Sequence, residues 1–280
     1  MLPSSVACSD VSRANDEPLA GTATRAARWL VVEQRGRWGS DAVADTPLPG
    51  PVRAVLEGFD GRVLLARIPR RERGDGTTAF VAESDEEGGT LRRMRLDRID
   101  ELAGLDLAGG EPIAGPLVLV CGHGARDRCC AVLGAPVYAA LRAQLPDGAV
   151  WQSSHHGGHR FAANVLVLPA GVQLGRVQPG EAEAVAAALA TGRIPLDRYR
   201  GRTLYAPEVQ AAEVSIRRAR GLDRIADLRL LANEDGTVRF TVPGGEVAAT
   251  VEEVEGPPQP ASCGAEPEPT TRFVVTLEQG

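Results

Sequence analysis

The stretch CGHGARDRCC runs from Cys121 to Cys130, and SSHHGGHRF runs from Ser153 to Phe161. All four histidines of the chain, His123, His155, His156 and His159, fall within these two stretches. Three of the five cysteines, Cys121, Cys129 and Cys130, belong to the first. Thiolate and imidazole together are the ligands of zinc and of iron–sulfur clusters. The histidine pair is His155 and His159, spelled H-x-G-G-H. Two glycines between them disfavour a helix and let backbone approach a bulky group. The cysteine pair is Cys121 with either Cys129 or Cys130. A structural zinc site of Cys₂His₂ type would use the same residues, but its usual spacings match only the histidine half. A thiol-redox protein would want C-x-x-C, and adjacent Cys129-Cys130 is a poor substitute.

These ligands need elements to position them. PLVLV, residues 116–120, is a continuous apolar run of the kind that makes a buried parallel strand, and it ends at Cys121. APVYAALRAQL then places Val137, Leu141 and Leu145 on one helical face, with Pro136 in the first turn. AVWQS, residues 149–153, is the next strand and ends near His155. A strand–helix–strand crossover makes the two strands parallel neighbours. Cys121 and His155 then leave the same carboxyl rim, where open α/β sheets place their sites. VLVLPAGVQLGRV reads as a hairpin, and PGEAEAVAAALATG as a helix stopped by Gly192. This β-α-β-β-β-α order resembles a reduced thioredoxin-like fold.

The first hundred residues repeat the order without the ligands. RWLVVEQ, PGPVRAVLEG, GRVLLARIP, TAFVAE, TLRRMRL and DRIDELAGL read as strand, helix, three strands and a short helix. Beyond Ile194, PEVQAAEVSIRRARGL is helical, LRLLANEDGTVRFTV is a hairpin turning at Asp235-Gly236, and GEVAATVEEV and RFVVTLEQ are strands. Between those last two lies a Pro-rich loop carrying Cys263, read as structural or incidental. The expected fold class is thus α/β (α+β), with two thioredoxin-like units, the second carrying the site, and a small C-terminal β-rich appendage. Residues 1–24 are read as a flexible tail, 25–110 as the degenerate unit, 111–195 as the ligand-bearing unit and 196–280 as the helix plus β appendage.

Bulk composition narrows the function classes. A chain of 280 residues with 43% apolar and 24% charged residues is ordinary for a globular protein. A net charge of −6 argues against nucleic acid or an anionic membrane as a partner. No apolar run approaches a membrane span, and MLPSSVACSD lacks the charged and apolar regions of a signal peptide. Few cysteines argue against a disulfide-stapled secreted domain, so a cytoplasmic, reducing compartment is expected. Neither G-x-G-x-x-G nor a P-loop occurs, so no nucleotide or flavin site of those types is indicated.

With CGHGARDRCC followed by W-x-x-S-H-x-G-G-H-R-F-A, the chain resembles the sucrase/ferredoxin-like family, a branch of thioredoxin-like [2Fe-2S] ferredoxins. The resemblance runs from about Ala26 to the C-terminus and is densest from Cys121 to Val177. It implies a [2Fe-2S] cluster held by Cys121, Cys130, His155 and His159, with Cys129 the alternative to Cys130 and His156 in the variable position. The function expected is single-electron transfer to or from a redox protein partner, an electron carrier more than an enzyme with its own small-molecule substrate. The proton on the outer nitrogen of a ligating imidazole makes proton coupling through His155 and His159 a hypothesis. No carboxylate pair supports a sucrase activity. Around the site, Ser153 and Ser154 are candidates to hydrogen-bond cluster sulfur. Arg160 and Arg126 are candidates to offset added negative charge, Asp127 to orient a ligand or pair Arg128, His123 to support the ligands, and Trp151 to pack.

Overall fold

The structure, a computed structural model, describes residues 7–69 and 74–278. It is a mixed α/β protein built on a ten-stranded sheet and a separate four-stranded sheet. The first half of the large sheet comprises β1 (Arg28–Glu33), α2 (Gly50–Glu57), β2 (Arg62–Arg67), β3 (Thr77–Glu83), β4 (Thr90–Leu96) and β5 (Glu111–Pro112). The second half comprises β6 (Leu117–Cys121), α3 (Arg128–Arg142), β7 (Val150–Ser153), β8 (Val165–Leu168), β9 (Val172–Leu174), α4 (Ala182–Ala190) and β10 (Tyr199–Arg202).

The strand order is β10-β9-β8-β6-β7-β2-β1-β3-β4-β5. Each half pairs in the same way. β1 is parallel to β2 and antiparallel to β3; β6 is parallel to β7 and antiparallel to β8. The halves join where β2 meets β7 antiparallel, at Ala66 opposite Ser153 and Arg67 opposite Gln152. The repeated order read from the sequence is therefore present as two copies of one strand arrangement sharing one sheet. Two boundaries shift. β5 pairs with β4 and belongs to the first half, and β10 extends the second beyond residue 195.

Alternation explains why the central strands hold. Trp29 and Val31 of β1 face a core shared with Leu117 and Leu119 of β6. Leu30 and Val32 face a second core beneath α2. Val118 and Val120 face a third, beneath α3 and α4, with Val137, Leu141 and Val185. Burial on both faces is why these strands read as unbroken apolar runs. Trp151 packs as expected, edge-on against Phe80.

Beyond β10, α5 (Pro207–Arg220) packs on the small sheet of β11 (Arg229–Glu234), β12 (Thr237–Val242), β13 (Gly245–Pro260) and β14 (Pro267–Leu277). The Pro-rich segment expected as a loop is mostly strand. Only residues 261–266 turn, and the flanking prolines extend β13 and β14. They are tolerated because this part of the hairpin is a two-stranded arm with free edges.

The expected tail is also structured. Residues 1–6 lie outside the described residues, but α1 (Cys8–Ala14) is a helix with Cys8, Ser9 and Ser12 buried. Glu17, 3% exposed, accepts hydrogen bonds from Ser12 Oγ at 2.6 Å and Arg160 Nε at 2.8 Å. The N-terminal segment is thereby tied to the second half of the sheet. Among the described residues no helix is long and apolar enough to cross a membrane.

Candidate metal centre

Cys121 is the last residue of β6, and it lies opposite Ser153, the last residue of β7. His155 follows two residues later, so strand register alone puts Cys121 and His155 on one rim. Cys130 arrives from α3. That helix begins at Arg128 rather than near Pro136, because Asp127 caps it: its carboxylate accepts the Cys129 N–H at 2.7 Å. Pro136 sits inside the helix. The bond it cannot make would go to the carbonyl of Val132, a residue 61% exposed, where water can serve instead.

The helix presses directly on the strand end. A Cβ at Gly134 would stand 2.0 Å from the Cys121 carbonyl oxygen. Gly134 follows Cys130 by four residues, so both lie on the face that meets β6. His155 Nδ1 is 3.8 Å from Cys121 Sγ and 3.8 Å from Cys130 Sγ. The ligand atoms of these three residues all lie within 4.8 Å of one another. His159 opens a 3-10 turn at His159–Phe161, and its ring stacks on His155 with centroids 4.8 Å apart. His159 Nδ1 is buried and has no hydrogen-bond partner.

The protonation states suit ligation. The hydrogen bond between the two sulfurs pulls the Cys121 pKa down to about 5 and pushes that of Cys130 up. Cys121 is thus favoured as the thiolate of the pair, and it lies beside the first turn of α3, where anions are stabilised. Burial lowers the pKa of His155 and of His159, which favours the neutral imidazole that binds metals.

Several buried groups fix the histidine loop. Gly157 and Gly158 have φ of +100° and +71°, and a Cβ at either would collide with Thr24 Oγ1 or Arg200 Nη2. Arg200, fully buried, donates from Nη1 to the Gly157 carbonyl at 3.1 Å and to Asn164 Oδ1 at 2.9 Å. Asn164 Nδ2 donates to the Gly158 carbonyl at 2.8 Å. His123 Nδ1 accepts the His155 backbone N–H at 3.2 Å, so its Nε2 carries the proton donated to the Gly39 carbonyl at 2.7 Å. His156 turns away: its Nδ1 accepts from Gln173 Nε2 at 3.0 Å, and burial lowers its pKa to about 3. Arg200, Gln173 and Thr24 carry no local sequence signal for this role, because their contacts are long in sequence; only the Asn164–Gly158 bond is local.

The remaining expected neighbours divide. Ser154 does not face the sulfurs; its Oγ accepts the Leu65 N–H at 3.0 Å and its N–H donates to the Leu65 carbonyl at 2.7 Å, tying β2 to the site. Ser153 Oγ is buried without a hydrogen-bond partner. Arg160 pairs with Glu17 rather than standing free. Arg126 lines a cleft of about 380 Å³ onto which His155 and His123 open, together with Arg62 and Asp41. Asp127 serves Cys129, not Cys130. Burial alone would raise its pKa, but the N–H groups of Cys263 and Cys129 hold it below the usual carboxylate value. Cys129 itself points to Cys8, whose hydrogen bond lowers its pKa to about 6, and away from Cys121.

The family model described as sucrase/ferredoxin-like matches residues 19–201, and the chain belongs to that family. The match reaches less far than the sequence suggested, since α5 and the four-stranded sheet lie beyond it. A curated relative, altered inheritance of mitochondria protein 32 of Meyerozyma guilliermondii, is 34% identical over 101 residues, covering 32% of this chain and 36% of that protein. The chain thus aligns with only about a third of that relative's length. No solved structure matches.

Gly134→Ala tests the contact that brings Cys130 to Cys121. An alanine in an exposed helix gains about 1 kcal/mol over glycine. Here the new methyl meets backbone that cannot yield, and overpacking costs about 1–3 kcal/mol. Urea unfolding is expected to show a net loss of stability. Equal or greater stability would mean that α3 does not press on β6.

Proposed function

We propose that this chain is an electron carrier whose [2Fe-2S] cluster is held by Cys121, Cys130, His155 and His159. The observation that carries the reading is the meeting of Cys121, Cys130 and His155 at one strand rim, with His159 stacked on His155. The donor set fits the group: two buried sulfurs, one held as thiolate, and imidazoles favoured as neutral. The buried, unpartnered Nδ1 of His159 is an atom that a metal would satisfy. When bound, the cluster supplies single-electron storage, and the protein sets potential and access.

The chain's own residues supply the rest. Cys121 and Cys130 provide negative charge, while His155 and His159 provide none. A ferric cluster core is doubly positive, so this ligand set leaves a neutral centre, where four thiolates would leave a doubly negative one. Accepting an electron then costs less, as in Rieske centres. His123 holds the backbone of His155. The cleft beside His155, with Arg62, Arg126 and Asp41, offers a redox protein a polar approach to that imidazole.

A mononuclear zinc ion is the second reading, because sulfur-to-nitrogen spacings of 3.8 Å suit a single ion shared by Cys121, Cys130 and His155. Metal and sulfide analysis of anaerobically purified protein separates the two. About two irons and two labile sulfides per chain are expected. Cys121→Ser and Cys130→Ser should abolish or perturb the visible spectrum, whereas Cys129→Ser should keep it. A colourless protein that takes up zinc but no cluster on reconstitution would refute the proposal.

The outer nitrogen of each ligating imidazole holds a proton that an oxidised centre acidifies more than a reduced one. Above the oxidised-state pKa, reduction therefore takes up a proton. The potential is expected to fall by up to about 59 mV per pH unit in that range. Protein-film voltammetry across pH measures it. A flat potential with the cluster intact would contradict proton coupling at His155 and His159.

A further inference from the structure

Three cysteines far apart in sequence meet beside this centre. Cys8 opens α1, Cys129 lies in the first turn of α3, and Cys263 sits in the turn between β13 and β14. All are free thiols. Cys8 Sγ is 3.5 Å from Cys129 Sγ, Cys129 Sγ is 3.2 Å from Cys263 Sγ, and Cys263 Sγ is 3.7 Å from Cys8 Sγ. Asp127 supplies a fourth vertex. Its Oδ1 lies 3.9 Å from Cys8 Sγ and 3.4 Å from Cys263 Sγ. The four ligand atoms all lie within 4.8 Å of one another. We propose that Cys8, Asp127, Cys129 and Cys263 form a second metal site, which takes a single thiophilic, tetrahedral divalent cation of the zinc type.

The dimensions favour a mononuclear ion. Zinc binds sulfur at about 2.3 Å and carboxylate oxygen at about 2.0–2.2 Å; a regular tetrahedron then has sulfur–sulfur edges of about 3.8 Å and sulfur–oxygen edges of about 3.5 Å. The observed sulfur–sulfur edges of 3.2, 3.5 and 3.7 Å and the Oδ1 edges of 3.4 and 3.9 Å scatter about those values, with the Cys129–Cys263 edge the shortest, and a bound ion would push that pair apart. Three sulfurs and one oxygen also match the ligand types that structural zinc accepts.

The surroundings hold the ligands in place. Asp127 Oδ1 accepts the Cys129 N–H at 2.7 Å, and Oδ2 accepts the Cys263 N–H at 2.8 Å. These bonds fix the carboxylate while leaving each oxygen a further lone pair. Ser9 Oγ lies 3.3 Å from Cys129 Sγ, within donating reach of a coordinating sulfur. Ala7, Leu133 and Ala162 pack around the sulfurs and exclude water. Cys8, Cys129 and Asp127 are 1%, 3% and 5% exposed. A buried carboxylate with two buried sulfurs and a half-buried third is best satisfied by a cation.

The site would be a clasp. It joins the N-terminal helix and the C-terminal hairpin to the turn of α3 whose next residue is Cys130. It stands on its own geometry and does not depend on what Cys121, Cys130, His155 and His159 bind.

The test is the zinc content of the Cys121→Ser/Cys130→Ser double variant, dialysed against a weak chelator. About one zinc per chain should remain, and adding Cys8→Ser or Cys263→Ser should remove it. Cobalt(II) titration of the otherwise wild-type chain gives a second readout that does not depend on those variants folding. A thiolate-to-cobalt charge-transfer band should appear at this site and should weaken in Cys263→Ala, with circular dichroism checking that the fold is retained. Zinc held instead at the first centre would be lost with Cys121→Ser alone, so the two readings fail separately. The proposal is overturned if the folded double variant binds neither zinc nor cobalt. It is also overturned if two of Cys8, Cys129 and Cys263 form a disulfide in protein purified anaerobically.

Discussion

The close approach of α3 to the end of β6 governs the site. The helix has no side chain at Gly134, so its first turn can lie against the Cys121 carbonyl. That approach sets Cys130 beside Cys121, gives the pair the favourable end of the helix dipole, and lets the two sulfurs share one proton. Asp127, at the head of the same helix, directs the adjacent Cys129 the other way. One helical turn therefore serves two groups of sulfur, because consecutive residues on a helix project about 100° apart.

The two halves of the large sheet share a strand order but not a chemistry. The second half supplies all four residues assigned to the proposed cluster. The first half supplies support: Leu65 of β2 exchanges hydrogen bonds with Ser154, and the Gly39 carbonyl holds His123, which in turn holds the His155 backbone. The join between β2 and β7 lies at Ser153, two residues from His155. Loosening the first half would therefore be felt at the histidine loop. Arg200 does the same from the far edge, where its buried guanidinium spans the Gly157 carbonyl, Asn164 and Thr22.

Much of this arrangement is legible in the sequence. Apolar runs of both-face burial, such as Leu117–Val120 and Trp29–Val32, announce central strands. The crossover from β6 to β7 places Cys121 and His155 on one rim without any side-chain detail. What the sequence conceals is contact between distant segments. Nothing local to Cys8 or Cys263 says that they meet at Cys129, and nothing local to Glu17 says that it will be buried against Arg160. Pro136 and the Pro-rich stretch after Glu255 mislead for a related reason. Proline breaks a helix or strand only where its missing N–H is needed, and Val132 faces solvent while the β13–β14 arm has free edges.

The central claim is that two histidines of one short loop and two cysteines from a strand end and a helix start hold one redox centre. Pulsed electron–nuclear resonance of the reduced protein, grown with ¹⁵N-histidine, addresses it directly. The account predicts two strongly coupled histidine nitrogens, with one lost in each of His155→Cys and His159→Cys and neither lost in His156→Ala. A reduced cluster with no strong histidine coupling, or with couplings that persist when His155 and His159 are replaced, would contradict it.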